Sequence, residues 1–305
     1  MFKKALIVTA IALVIGAVGT WLLTAPTETA PKNTPVAVDN ESGLQPVNLP
    51  SPPPVPPAEV DEVFVQVGHV SGVDAVAFSP DGKTALSGSS DNTVKWWDLS
   101  TGRVIKSLDG HYDDVYSVAF SPDGKTALSS SYDNTVKWWD LSTGRVIKSL
   151  DGHSFSVYSV AFSPDGKTAL SDSYDNTVKW WDLSTGNVIK SLDGHSDWVN
   201  SVAFSPDGKT ALSGSWDTTT RLWNLQTGEE ILQMVSFKDG EGVAIMPQGY
   251  YAASPNGEQY INVRVGNRSY GIDKYKTFYH YPDIVQLALQ LGDAERAIAQ
   301  ANQAN

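Results

Sequence analysis

Residues 69–110 read HVSGVDAVAFSPDGKTALSGSSDNTVKWWDLSTGRVIKSLDG, and nearly the same text recurs twice more, from His111 and from His153. Thirty-four of the 42 positions are identical in all three copies. A fourth copy starts at His195, keeps its first half and drifts after Asp217. Self-similarity at a fixed period of this size marks stacked supersecondary units, each unable to bury its apolar face alone. Within a unit, short β-branched and aromatic runs at 73–78, 84–87, 93–98 and 103–108 are separated by Pro-Asp-Gly, Ser-Ser-Asp-Asn and Ser-Thr-Gly turns. Each unit is expected to be a four-stranded meander.

Working outward, the text towards the N-terminus changes character twice. Lys3 and Lys4 precede residues 5–23, a run with no charge and long enough as a helix, at about 28 Å, to cross a bilayer. An uncleaved anchor over 1–23 is expected, with the lysine pair keeping the N-terminus in the cytoplasm and the rest in the periplasm or outside the cell. The alternative is secretion after signal cleavage, against which stand the length of the run and Pro26 and Pro31 after the small residues Ala25 and Ala30. Residues 24–60 hold ten prolines and read as a disordered tether. The formal charge of -12 is the wrong sign for a chain that neutralises phosphates, so nucleic acid is not an expected partner. With no cysteine, disulfides, thiolate metal sites and cysteine nucleophiles are excluded.

Gly-His at one end of a unit of about 40 residues and Trp-Asp at the other, here Trp97-Asp98, Trp139-Asp140, Trp181-Asp182 and Trp223-Asn224, resembles the WD-repeat β-propeller family. The resemblance implies an all-β propeller over 61–270 with four blades at about 69–110, 111–152, 153–194 and 195–236. A degenerate fifth blade would close it, built from 237–270 with 61–68, residues 63–66 supplying its outer strand. The text from Phe237 to Asn267 is similar to the segment after the repeats in some bacterial, membrane-anchored members. Residues 271–305 read as a short helical tail, with Ile284, Leu287, Ala288 and Leu291 at helical spacing and Gly292 as a stop. The resemblance also implies a hydrogen-bonded tetrad in each blade: His69, Ser87, Asp91 and Trp97; His111, Ser129, Asp133 and Trp139; His153, Ser171, Asp175 and Trp181; His195, Ser213, Asp217 and Trp223. Serine, histidine and aspartate recurring in four copies inside strands are structural rather than hydrolase triads. No metal site or cofactor is expected: the histidine outside the repeats, His280, has no usual ligands beside it, and the Pro-Asp-Gly sequences lack the alternating acids of calcium loops.

The eight positions that vary among units one to three cluster after the histidine, at the start of the first strand and around the turn aspartate. By comparison with the family they fall on the top face near the channel, where propellers hold peptides and protein partners. The candidate binding residues are Asp74, Asp114, Tyr116, Tyr132, Tyr158, Tyr174, Trp198, Asn200 and Trp216. Large aromatics with interspersed carboxylates suit an anchored, basic protein or peptide partner. The expected function is therefore a non-enzymatic, membrane-tethered extracytoplasmic scaffold. A carbohydrate-binding or glycan-processing module is the alternative, since aromatic platforms beside carboxylates also suit sugars. Association of two or more chains is the alternative to closure by a fifth blade.

Overall fold

The computed structural model describes residues 68–303. The expected anchor, the tether and the 63–66 closing strand lie outside these residues. In each unit the turn chemistry sets the register. At the first turn Ser79 Oγ donates to Asp81 Oδ1, the same oxygen receives the Lys83 amide, and Gly82 takes φ 68°, a conformation open to glycine at no steric cost. The alternating runs on either side then pair as antiparallel strands.

Four sheets result, each a meander in chain order. The first is β1 (Val73–Phe78), β2 (Thr84–Ser89), β3 (Thr93–Asp98) and β4 (Arg103–Asp109). The second is β5 (Val115–Phe120), β6 (Thr126–Ser131), β7 (Thr135–Asp140) and β8 (Arg145–Asp151), and the third is β9 (Val157–Phe162), β10 (Thr168–Ser173), β11 (Thr177–Asp182) and β12 (Val188–Asp193). The fourth begins with β13 (Val199–Phe204), β14 (Thr210–Ser215), β15 (Thr219–Asn224) and β16 (Glu230–Ser236). The innermost strands touch in sequence, β1 on β5, β5 on β9 and β9 on β13.

The core lies between blades. Leu86, Val94 and Leu108 on the trailing face of the first blade pack against Val115, Val118, Trp139 and Leu141 on the leading face of the second, and the same cluster recurs at the next two junctions. Contact is close enough that a Cβ on Gly88 would come 2.7 Å from Val115 Cγ1. Fully burying one such aliphatic side chain is worth about 1.5–3 kcal/mol.

The fifth blade is not formed as the sequence suggested. Strands β17 (Gly242–Ile245) and β18 (Tyr251–Ala253) pair onward from β16 and make the fourth sheet six-stranded. Strands β19 (Asn262–Val265) and β20 (Arg268–Gly271) form a separate hairpin. The physical reason is the short turn Phe237–Glu241: it reverses the chain directly onto the exposed edge of β16, with the Phe237 amide bonded to the Glu241 carbonyl. Helix α1 (Lys276–Tyr279) is a single turn, and α2 (Pro282–Leu291) and α3 (Ala294–Gln303) form the expected helical tail. Gly292 ends α2 in the left-handed region at φ 62°. Both α2 and α3 pack on β16, where Leu232, Val285, Ala288 and Ala297 share one cluster. They occupy the outer half of the face on which a next blade would sit.

The inner half of that trailing face stays open: Leu212 is 40 % exposed where Leu86, Leu128 and Leu170 are sealed, and an exposed Thr220 stands in place of Val94. At the other end of the array the leading face of the first blade has no neighbour among the described residues. Val76 is 76 % exposed, while Val118, Val160 and Val202 at the same position are buried.

Each expected tetrad is formed. In the second blade His111 Nδ1 meets Asp133 Oδ2 at 2.8 Å, His111 Nε2 meets Ser129 Oγ at 2.7 Å, and Trp139 Nε1 donates to Ser129 Oγ at 2.7 Å. The other three blades repeat this within 0.1 Å. Because the serine oxygen accepts from indole, its own proton is free for imidazole Nε2, which leaves Nδ1–H to donate to the carboxylate. A fifth member went unread in the sequence. Thr93, Thr135, Thr177 and Thr219 each donate to the tetrad aspartate at 2.6–2.7 Å. Burial alone would raise the carboxyl of Asp133, but bonds from His111, Thr135 and the Tyr112 amide outweigh it and hold the group well below the carboxylate range. Desolvation pushes His111, His153 and His195 below the usual imidazole value, so each stays neutral.

Two departures in the repeat text cost stability locally. Thr218 takes φ 70° where the other units use asparagine, a strained choice for a β-branched residue. Asp172 is fully buried in β10, with Oδ1 accepting from the Ser159 amide and Oδ2 without a partner, and burial raises its pKa well above the carboxylate range.

These contacts carry two expected outcomes. Ser129→Ala leaves an indole and an imidazole nitrogen buried without partners and is expected to cost about 2–4 kcal/mol in urea unfolding; a loss below about 0.5 kcal/mol would show the tetrad to be incidental. Asp172→Ser, the residue of the neighbouring unit, is expected to stabilise by about 1–3 kcal/mol at pH 7. A raised folded-state pKa means that Asp172 favours the native state only when protonated, so the gain must shrink as the pH falls towards 4. Thermal melts of both proteins from pH 7 to pH 4 check the sign, and a gain independent of pH contradicts it.

Candidate partner-binding face

Of the candidate residues, Asp74, Tyr116, Tyr158 and Asn200 stand where each blade's innermost strand begins, at or beside a β-bulge, and Tyr132, Tyr174 and Trp216 stand in the turn after the second strand. The pairing of β1 with β2, β5 with β6 and β13 with β14 skips one residue, at Asp74, Tyr116 and Asn200; β9 carries the same irregularity beside Tyr158. A bulged residue is released from the ladder and can turn its side chain out of the sheet's alternation. Beside it, the amides of Ser90, Tyr132, Tyr174 and Trp216 donate to the carbonyls of Gly72, Asp114, Ser156 and Trp198. Two loops of each blade are thereby tied into one rim.

On that rim six of the nine candidates form one aromatic ladder across three blades. Tyr132 meets Tyr116 edge-on at 6.2 Å; Tyr116 and Tyr158 stack at 4.4 Å, Tyr158 and Tyr174 at 4.2 Å, and Tyr174 and Trp198 at 4.0 Å; Trp216 leans on Trp198 at 5.8 Å. Desolvation in the stack raises the hydroxyls of Tyr116, Tyr158 and Tyr174, so all three stay neutral. Asp114 is tied into the Tyr132 end through its backbone. Asp74 sits apart on the first blade, where Ser90 Oγ donates to it at 2.7 Å. Asn200 is exposed and outside the ladder.

Charge is divided between the two rims. Residues 69–72, 90–92, 109–114, 132–134, 151–156, 174–176, 193–198 and 216–218 contain no lysine or arginine, while Lys83, Arg103, Lys125, Arg145, Lys167 and Lys209 stand at the opposite turns. Two cations of the strands reach this side: Lys137 Nζ lies 5.9 Å from the Tyr112 ring, and Arg221 Nη2 lies 3.9 Å from Asp217 Oδ2, the residue after Trp216. Tyr112 and Phe155, 86 % and 61 % exposed, also belong to this face and were missed in the sequence. Both occupy the positions just after the histidine, where the copies vary most, and that variability was the available signal. Two varying positions do not belong here. Arg103, Arg145 and Asn187 lie at the opposite turns, and Gly88, Ser130 and Asp172 lie inside the second strand of their blades.

Two hollows lie elsewhere. An apolar trough of about 490 Å³ runs along the opposite rim past Phe78, Phe120, Phe162 and Phe204, and a cleft of about 390 Å³ separates the fourth blade from α3. The aromatic rim is a surface rather than a pocket. The tetrad serines are buried, with the hydroxyl committed to indole and imidazole, so none is open to a substrate. Among the described residues no group of three or more histidines or carboxylates is placed to hold a metal ion, and no helix is long and apolar enough to cross a membrane.

The curated proteins similar to this chain include ribosome biogenesis protein BOP1 homologues of Drosophila willistoni, Drosophila erecta and Drosophila melanogaster, each 41 % identical over 61 residues. That stretch is 20 % of this chain and 8 % of each relative, so the chain spans a small part of their length. A family profile described as WD domain, G-beta repeat matches residues 61–98, 102–140, 144–182 and 186–224, more than half of the chain. The last three matches begin just before or on the outer strand of one blade and end on the Trp-Asp or Trp-Asn pair of the next. With the tetrads, the four-stranded blades and this match together, the chain belongs to the WD-repeat family.

Proposed function

We propose that this chain is an interaction scaffold whose aromatic rim holds a basic protein or peptide, and that residues 1–23 and 24–60 anchor and tether it with the rim outside the cytoplasm. The observation that carries the first part is the ladder on a rim whose loops contain no lysine or arginine. Tyrosine and tryptophan supply much of the energy of protein interfaces, and a face of one charge sign selects and steers the opposite sign. The tether rests on the uncharged run after Lys3 and Lys4 and on the high proline content of residues 24–60. The leading face of the first blade, which has no neighbour among the described residues, supports association with a second chain.

A sugar-binding reading is disfavoured by the stacking. A pyranose ring docks on a free aromatic face, and the faces within Tyr116, Tyr158, Tyr174 and Trp198 are taken by one another. The ribosome-biogenesis relatives share 61 residues with this chain, which carries the repeat across and not their pathway.

Replacing both Trp198 and Trp216 by alanine is expected to weaken partner capture by about 30-fold or more, since a central aromatic anchor is worth about 2 kcal/mol. Both side chains are exposed, so the far-ultraviolet spectrum and the melting temperature of the full chain should stay close to wild type. Unchanged capture by a folded variant would refute the assignment of this rim.

A further inference from the structure

Resting on that basic-partner reading, we infer that the two ends of the aromatic ladder are subsites for arginine, each a free ring face beside a carboxylate, joined by a middle blade that takes no charge. The ladder consumes its own inner surfaces. Tyr116, Tyr158, Tyr174 and Trp198 lie within 4.0–4.4 Å of a stacked neighbour at interplanar angles of 13–19°, and offer a partner their edges. The terminal rings are different. Tyr132 meets Tyr116 at 73° and is 50 % exposed; Trp216 meets Trp198 at 59° and is 61 % exposed, so neither is stacked in parallel on its neighbour and both are accessible to a partner.

In the loop after the tetrad histidine, carboxylates stand at these ends and not between them, and Asp175 beside Tyr174 is committed to His153 and Thr177. At the Tyr132 end the Asp114 carbonyl holds the Tyr132 amide, and Asp113 Oδ1 caps the Asp114 amide. At the Trp216 end Asp197 Oδ1 caps the Trp198 amide, and its carbonyl accepts from Ser215 Oγ. The corresponding loop of the third blade reads Ser154, Phe155, Ser156. Local bonds thus fix an acid in the loop tied to each terminal ring.

Ring chemistry then discriminates between the two common cations. A guanidinium is planar and weakly hydrated, so it can extend a stack while its N–H edge bonds the adjacent carboxylate in two places. An ammonium is a compact, strongly hydrated point charge that gains from the acid and little from the ring plane. Six rings at these separations place the ends on the order of 20 Å apart, which an extended segment spans in about six residues at ~3.3 Å each.

The test uses the full chain and three synthetic decapeptides: two arginines separated by six Gly/Ser residues, the twin with lysine, and the twin with citrulline, which is planar and uncharged. Tryptophan fluorescence reads the binding. The arginine peptide is expected to bind about tenfold more tightly than the lysine peptide, with no binding of the citrulline peptide. Tyr132→Leu and Trp216→Leu, both exposed positions, should each reduce the arginine preference without changing the melting temperature. Equal affinity for arginine and lysine overturns the subsites and leaves the basic-partner reading standing; binding of neither peptide overturns both.

Discussion

A serine hydroxyl in each blade holds the repeat together. It accepts the indole proton of one strand and donates to an imidazole on the loop above, whose other nitrogen is fixed by an aspartate at the next turn. Two strands and the Gly-His loop are tied through that one oxygen, which is sealed from water in blades two to four. The net gain per bond is about 1 kcal/mol, but each partner left unpaired costs more, so the group behaves as a unit. With the tetrad set, the tryptophan ring of blades two to four packs against the aliphatic trailing face of the blade before it, in the inter-blade core. The rim loops are then free to vary because they carry none of this packing.

The two ends of the array are finished differently. Past the fourth blade the chain adds two strands to the same sheet and lays α2 and α3 over its outer half, so that Leu232 is as well buried as Leu108, Leu150 and Leu192. This is a capping solution of the kind that terminal units of repeat arrays require. The loss of valine at Thr220 fits it, because the position no longer meets another blade. The first blade keeps the complete apolar face of an internal unit, with Val73, Val76 and Leu99 exposed where Val115, Val118 and Leu141 are buried.

The blades were legible in the sequence because every local signal agreed across copies: turn glycines, β-branched alternation and a fixed Gly-His to Trp-Asp distance. The tetrads could be read residue by residue, although the threonine that steadies each aspartate was not distinguishable from an ordinary strand threonine. The fifth blade failed because strand propensity after Leu225 says nothing of which edge a strand joins; the tight turn Phe237–Glu241 decided that. The aromatic rim was found through the positions that vary. Not every varying position lies there, since Asp172 is buried, and the candidates passed over Tyr112 and Phe155. The bulge that turns Tyr116 out of its strand has no sequence mark of its own, and so the continuous ladder was visible only in three dimensions.

The claim that one rim of a copied scaffold is the working face is tested most directly by hydrogen exchange on the full chain, with and without an arginine-rich peptide at saturating concentration. Slowed exchange confined to the loops around Tyr116, Tyr132, Tyr174 and Trp216, with the turns at Lys83, Lys125, Lys167 and Lys209 unchanged, is the expected result. Protection centred instead on those opposite turns, or on the trough along Phe78, Phe120 and Phe162, would contradict it.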